Sequence, residues 1–268
     1  MDKSKKYNER EYISWLINEV KVPRVLLDER YYNEITQAMK KTFMESNLWL
    51  EIKDNYREIG SNYELMNKGY KLYQSEELPE IKLKGFKSYI NKTYRKNILH
   101  NENYPEEPDG GWYIPNRTFD RIKDTVRTLF VVKYMDGVPY LTNRLEEIID
   151  KHNKDIKCEA SLEAKMDEGY YAAHIDNICC VFEVPDRVEI GTIKIKGSIE
   201  IQITTQIQEV IRKLLHKYYD EKKEKIGKLN NENWRWNSKN DIFSVNYLGH
   251  ILHYIEGMIV EIRDKKES

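Results

Sequence analysis

From Ile199 to Thr204 an isoleucine stands at every second position, with Glu200, Gln202 and Thr204 between them. A strand turns successive side chains to opposite faces, so this period of two buries Ile199, Ile201 and Ile203 and presents Glu200 and Gln202 on the other side. A helix cannot sort these residues that way. The segment predicts a half-buried strand over Ile193 to Thr205, which needs partners. Two other runs rich in Val, Ile, Tyr and Thr suit that role, Thr128 to Tyr134 and Tyr170 to Phe182.

Helical spacing governs most of the rest. Tyr12, Trp15, Leu16 and Val20 begin an apolar pattern that continues with many intervening charges to about Tyr73, a helical N-terminal region. Helices are also expected over Ile81 to Lys96 and Leu141 to Lys151. After Thr205, Ile207, Val210, Ile211, Leu214, Leu215 and Tyr218 form a further helical stripe. A final helix is expected over Ile242 to Ile262, with Tyr247, Leu248, Ile251, Leu252, Ile255 and Ile259 on its apolar side. Leu99 to Asn116 reads as a polar loop around Asp109-Gly110-Gly111, and Glu221 to Asp241 as a charged connection. Periodicity alone gives an α+β fold.

Lys and Arg number 44 against 45 Asp and Glu, so any nucleic-acid contact must be local, not the work of bulk charge. No apolar run approaches the roughly 20 residues needed to span a bilayer, and the three cysteines read as reduced thiols of a cytoplasmic protein. No Gly-x-x-x-x-Gly-Lys-Ser/Thr loop occurs, which removes the P-loop route to phosphoryl transfer.

The face carrying Glu200 and Gln202 is the first candidate for chemistry. A carboxylate there, beside Asp124 ahead of the neighbouring strand, would form an oxygen platform for magnesium and phosphate. A strand face of Glu and Gln also describes a merely solvated surface. Tyr170, Ala172 and His174 share one face of the preceding strand, and a tyrosine next to Gly169 suits base stacking. Alternation leaves open whether Tyr170 or Tyr171 faces an acceptor. His250 and His253, with Glu256, have helical metal spacing, but histidines in hydrogen bonds on a helix have the same spacing. Trp234 and Trp236 suit packing of the charged connection, or stacking on RNA.

Taken in order, Lys82-Leu83-Lys84 with Ser88 and Lys92, Ile122 to Arg127, Gly169-Tyr170-x-x-x-His174, Glu200-x-Gln202-Ile203-x-Thr205 and a following amphipathic helix resemble the RelA/SpoT synthetase family. The resemblance spans roughly Ile81 to Lys223. The helix with His250 and His253 looks like the tail of small single-domain members. It implies a nucleotidyltransferase-like fold, a mixed and mainly antiparallel sheet flanked by helices. Residues 1–80 would form a helical region, 81–223 the synthetase core, and 224–268 a linker and C-terminal helix packed on it. No hydrolase domain is expected, since the N-terminal segment lacks the His-Asp pair of the long relatives.

The activity implied is pyrophosphate transfer from ATP. Lys82, Lys84, Ser88, Lys92 and Arg127 would bind ATP. Asp124 and Glu200 would hold Mg2+, with Glu200 also able to take the proton of the attacking hydroxyl. Gln202 and His174 would orient that network, and Tyr170 or Tyr171 would meet the acceptor. Replacing Glu200 by Gln or Asp124 by Asn is expected to abolish transfer and leave the fold intact. The family usually has Arg where this chain has Tyr171 and Thr204, two cations fewer for a guanosine di- or triphosphate. The small toxins of the family that modify the tRNA CCA end therefore fit first, with Arg212, Lys213 and Lys217 on the RNA and an antitoxin protein as partner. Synthesis of guanosine or adenosine alarmones is the other expectation.

Overall fold

The computed structural model describes residues 7–152, 159–165, 169–189, 191–214, 239 and 241–265. Five strands form one sheet in the order β1-β2-β5-β4-β3: β1 Ile81–Leu83, β2 Val126–Val132, β3 Glu159–Lys165, β4 Tyr170–Pro185 and β5 Thr192–Thr205. Three of the four pairings are antiparallel and β2 runs parallel to β5. The fold is thus α+β with a mixed, mainly antiparallel sheet.

Local chemistry sets the N-terminal helices. Asn8 accepts from the amides of Arg10 and Glu11 to start α1 (Glu9–Asn18), Asp28 caps α2 (Glu29–Met44), and Ser46 caps α3 (Asn47–Met66). Each cap satisfies amides that the first helical turn leaves without an intrahelical partner. Helix α2 packs on β4 and α5 (Gly137–His152) on β4 and β5. They cover the sheet face built from Val126, Phe130, Ile175, Ile199, Ile201 and Ile203, all buried in one core with Tyr12, Tyr32, Ile35 and Met39. The isoleucine alternation therefore does what it predicts.

Three expectations need correction. The stretch Ile81 to Lys96 is not one helix: β1 takes Ile81–Leu83, and α4 starts only at Phe86, running to Tyr94 and continuing as a π-helical turn over Arg95–Leu99. A three-residue edge strand is too short to show a period of two, and pairing with Thr128, Arg127 and Val126 decides its state. Helix α5 begins four residues before Leu141, because Pro139 is compatible with a first helical turn. Strand β3 was not anticipated.

After β5, residues 206–214 form α6. The last helix, α7 (Asp241–Lys265), lies against the start of β4. At that crossing Gly169 and Gly249 meet backbone to backbone. A Cβ on Gly169 would collide with the carbonyl of Asn246, and one on Gly249 with the carbonyl of Gly169. Gly169 also holds φ +58, the left-handed region that glycine adopts without strain.

Candidate active site

The sheet register builds the site. Lys82 lies opposite Arg127, and Arg127 opposite Glu200, so three strands place these residues in one row. In the next row Leu129 lies opposite Gln202 and Gln202 opposite His174. Because strand partners share a face, both rows lie on the side away from the isoleucine core. Sequence alternation puts Glu200 with Gln202 on one face of their strand and Tyr170 with His174 on one face of theirs, and the register brings the two faces together.

Within this face the carboxylate of Glu200 is buried and held on both oxygens. His174 Nδ1 lies 2.8 Å from Oε1, and Gln202 Nε2 donates to Oε2 at 2.8 Å. Tyr170 is buried beside His174, their ring centroids 6.2 Å apart in an edge arrangement. A buried carboxylate fixed by two neighbours has a single orientation, as a proton acceptor or metal-facing group requires.

Asp124 sits just ahead of β2 and gathers two lysines from different elements. Lys84 Nζ donates to Oδ2 and Lys92 Nζ to Oδ1, each at 2.7 Å. Lys84 follows β1, where its amide bonds the Thr125 carbonyl at 2.9 Å. Lys92 lies in the last turn of α4, and Ser88, one turn before it, is exposed. Ser88 and Lys92 thus share one side of α4, while Lys84 reaches Asp124 from the link between β1 and α4. The first turn of α4 follows Gly85, which supplies no capping side chain.

The electrostatics are uneven across this triad. Burial works to raise the Asp124 carboxyl, but the two ammonium groups outweigh it and bring it down to about 2. Burial lowers Lys84, and Asp124 only partly offsets it. The carboxylate gains from the contact while Lys84 is left ready for a further anion. Phosphate oxygens are the natural match for two convergent ammonium groups.

A divalent cation can be judged on the donor set. Asp124 and Glu200 offer four hard oxygens, each with one hydrogen-bond donor, so each keeps a lone pair for Mg2+. The donor chemistry of each carboxylate suits the ion, and Asp124 is open to it only when its lysines turn to phosphate. Among the described residues there is no preformed group of three or more His, Cys, Asp or Glu suited to a metal. His250 and His253 serve elsewhere: His250 Nδ1 lies 2.8 Å from the Tyr171 hydroxyl, and His253 stacks on the Tyr171 ring at 3.6 Å.

The two tyrosines are now separated. Tyr170 belongs to the Glu200 side, whereas Tyr171 is held against α7. Of the basic residues proposed for the acceptor, Arg212 forms a two-pronged pair with Glu209, its Nη2 donating at 2.9 Å, and Lys213 approaches the same carboxylate at 3.5 Å. Lys217 lies outside the described residues, as do Trp234 and Trp236.

Sequence reading missed Asp176. It continues the spacing of Tyr170, Ala172 and His174, and its carboxylate accepts from Lys123 Nζ at 3.0 Å. The irregularity in β4 between Ile175 and Ile178 falls where the strand passes Glu200. Such bulges re-aim side chains next to sites. The signal was the period of two carried one step further.

No protein-family model matches the chain, and no curated protein matches it. Solved structures do. Small alarmone synthetase 2 from Bacillus subtilis aligns at 18% identity over 81% of this chain and 96% of that one, with a TM-score of 0.44. Small alarmone synthetase 1 from Bacillus subtilis bound to its product pppGpp aligns at 16% identity over 81% and 92%, with a TM-score of 0.47. A GTP pyrophosphokinase family protein from Streptococcus pneumoniae aligns at 17% identity over 84% and 92%, with a TM-score of 0.44. The chain is similar to small alarmone synthetases and to a GTP pyrophosphokinase family protein.

Proposed function

We propose that the chain is an ATP-dependent pyrophosphokinase. The observation that carries this reading is the meeting of two phosphate-seeking lysines on Asp124 with the Lys82-Arg127-Glu200 row of the adjoining sheet face. In this reading Lys84, Lys92 and Ser88 bind the triphosphate, with Lys82 and Arg127 beside them. Asp124 and Glu200 would hold Mg2+, which when bound supplies charge neutralisation at the phosphate oxygens.

The acceptor hydroxyl oxygen attacks the β-phosphorus in line. The bond from that phosphorus to the oxygen bridging the α-phosphate breaks, and AMP leaves. Glu200 takes the hydroxyl proton, with His174 and Gln202 keeping its carboxylate in place. The protein contributes position and charge, as phosphoryl-type transfers require. Tyr170, on the Glu200 side, stacks on the acceptor base.

A guanosine nucleotide is the acceptor we assign first, in line with the pppGpp product bound by small alarmone synthetase 1 from Bacillus subtilis. One observation favours the tRNA 3′ end as a second reading. Thr204 and Tyr171 bring no positive charge, and both are spent internally: the Thr204 hydroxyl donates to the Tyr171 carbonyl at 2.9 Å, and the Tyr171 hydroxyl meets His250. An acceptor with fewer free phosphates fits such a surface. In that reading the protein is a translation-blocking toxin with an antitoxin partner. No helix among the described residues is long and apolar enough to cross a membrane.

The test is label transfer from ATP carrying radioactive γ-phosphate, offered separately to GDP, GTP and deacylated tRNA. Label in the guanosine nucleotides supports the first reading, and label in tRNA alone selects the second. No transfer to any acceptor removes the pyrophosphokinase assignment.

A further inference from the structure

Helix α7 turns small and polar residues inward. Asn246, Gly249, Glu256 and Arg263 are buried on its inner side, while Leu248, Ile251, Ile255 and Ile262 are exposed on the outer one. Such an inner side does not fill space as interlocking aliphatic side chains do. Between it and the sheet lies a cavity of about 480 Å³. Met135, Val138 and Pro139 around the start of α5, Ala172 on β4, and Gly257 and Val260 on α7 give it mostly apolar walls. Both the volume and the walls are those of a small-molecule site.

Two polar atoms of the lining residues have no hydrogen-bond partner. Gln208, on α6, is buried, and its Nε2 donates to the Glu256 carboxylate at 3.3 Å and lies 3.5 Å from the Gly249 carbonyl. Two acceptors at that nitrogen fix which end of the amide is which. The end left over is Oε1, a buried acceptor that no donor meets. Buried acceptors of this kind are exceptions that call for a cause. The other atom is Nδ1 of His253, whose ring stacks on Tyr171 at 3.6 Å between centroids. His253 and Tyr171 both line the cavity and give it an aromatic wall.

The walls offer no net charge to an ion. Asp136 lines the cavity but is held by Arg263 at 3.0 Å. Burial pushes His253 down and Glu256 up, each toward its neutral form. A water could meet Gln208 but would gain nothing from the apolar walls.

We propose that this cavity binds an uncharged, planar aromatic heterocycle bearing one N–H, with the N–H directed at Gln208 Oε1 and the ring against the Tyr171 and His253 wall. An N–H donor supplies what the amide oxygen lacks, and a flat ring matches the aromatic pair. The site shares no residue with the Lys82-Arg127-Glu200 row or with Asp124 and its lysines, so it stands whether or not the chain transfers pyrophosphate. Its occupant packs α7 onto the start of β4.

Isothermal titration calorimetry on the purified full chain with indole, 1-methylindole and indole-3-acetate tests the site. Indole should bind one equivalent with a Kd on the order of 0.1–1 mM, as so small a ligand allows. The methylated ring keeps its shape but loses the donor, and should bind about tenfold more weakly. The acetate carries a charge with no partner in the cavity and should give no saturable heat. Gly257→Leu should abolish indole binding. A Cβ at that position meets Met135 Sδ at 4.0 Å, an ordinary contact, so the longer side chain enters the cavity while the circular dichroism stays that of wild type. No saturable heat with about 5 mM indole, well above the expected Kd, overturns the proposal. So does indole binding that persists in Gly257→Leu, or an analogue that binds wild type as tightly as indole. Amide exchange on wild type decides the matter if Gly257→Leu misfolds: indole should slow exchange over residues 253–260 and leave α2 unchanged, and no change over 253–260 refutes the site.

Discussion

Replacing Asp124 by Asn should cost stability as well as activity, contrary to the expectation from sequence that the fold stays intact. Its side chain is 18% exposed, and the two lysines on it are 14% and 23% exposed. Asn keeps the shape but leaves two largely buried ammonium groups with no counter-charge. The carboxyl is lowered from an ordinary 3.8 to about 2; at about 1.4 kcal/mol per unit this corresponds to about 2 kcal/mol of coupling. Breaking a fully buried pair from one side costs roughly 3–5 kcal/mol. These lysines keep some solvent, so the loss should be about 2–4 kcal/mol, or roughly 5–12 °C in melting temperature for a chain of this size.

The pH dependence has a definite sign. A carboxyl lowered by folding contributes stability that is complete above its unfolded pKa and is lost as pH falls through its folded value. The gap between wild type and Asp124→Asn should therefore be full at about pH 6 and close as pH drops from about 4 towards 2. Urea melts across that range measure it. Adding Lys92→Met to Asp124→Asn removes one uncompensated charge and should restore part of the loss, a coupling of about 1–3 kcal/mol. Equal melts at neutral pH, or a gap that ignores both pH and the second substitution, would refute the charge-compensation argument.

Glu200→Gln should retain the wild-type melt, since the amide is isosteric and His174 and Gln202 remain beside it, while label transfer drops by about 10² or more. Tyr170→Ala should weaken use of the acceptor, seen as a raised acceptor KM, with little change in the α7 contacts. Tyr171→Ala should do the reverse, because it removes the ring under His253 and the bond to His250: about 1–2 kcal/mol of stability, read by thermal melting. Gly249→Ala must push the carbonyl of Gly169 aside, so limited proteolysis should release the C-terminal helix far sooner than in wild type.

The sheet face was legible because its signal is local. Glu200 and Gln202 share a face, as do Tyr170 and His174, by counting in twos along single strands, and the register of β4 on β5 joins the two faces. Asp124 was a candidate from its place just ahead of a strand and its lysines came from the resemblance; the ion pairs joining residues 32 and 40 positions apart could not be read from periodicity. Edge strand β1 escaped because three residues carry too little pattern to compete with the helical spacing around them. The side on which α7 packs was hidden for a different reason. Helical periodicity identifies an apolar stripe but not which way it turns, and the rule that apolar faces turn inward fails for a helix held by Arg263 on Asp136 and Gln208 on Glu256.

That inversion gives the departure at Tyr171 a physical account. Where the resemblance calls for a cation, this chain has a ring that accepts the stack of His253 and the bond to His250, and Gly169 beside it lets Gly249 approach to backbone contact. An arginine at 171 would lose the ring stacked on His253 and the hydroxyl that meets His250 Nδ1. The exchange removes a phosphate-binding charge from the start of β4 and installs a seat for α7. Tyr170, one residue away, stays on the Glu200 side, so the start of β4 is held by α7 at Gly169 and Tyr171, on either side of the residue proposed to meet the acceptor.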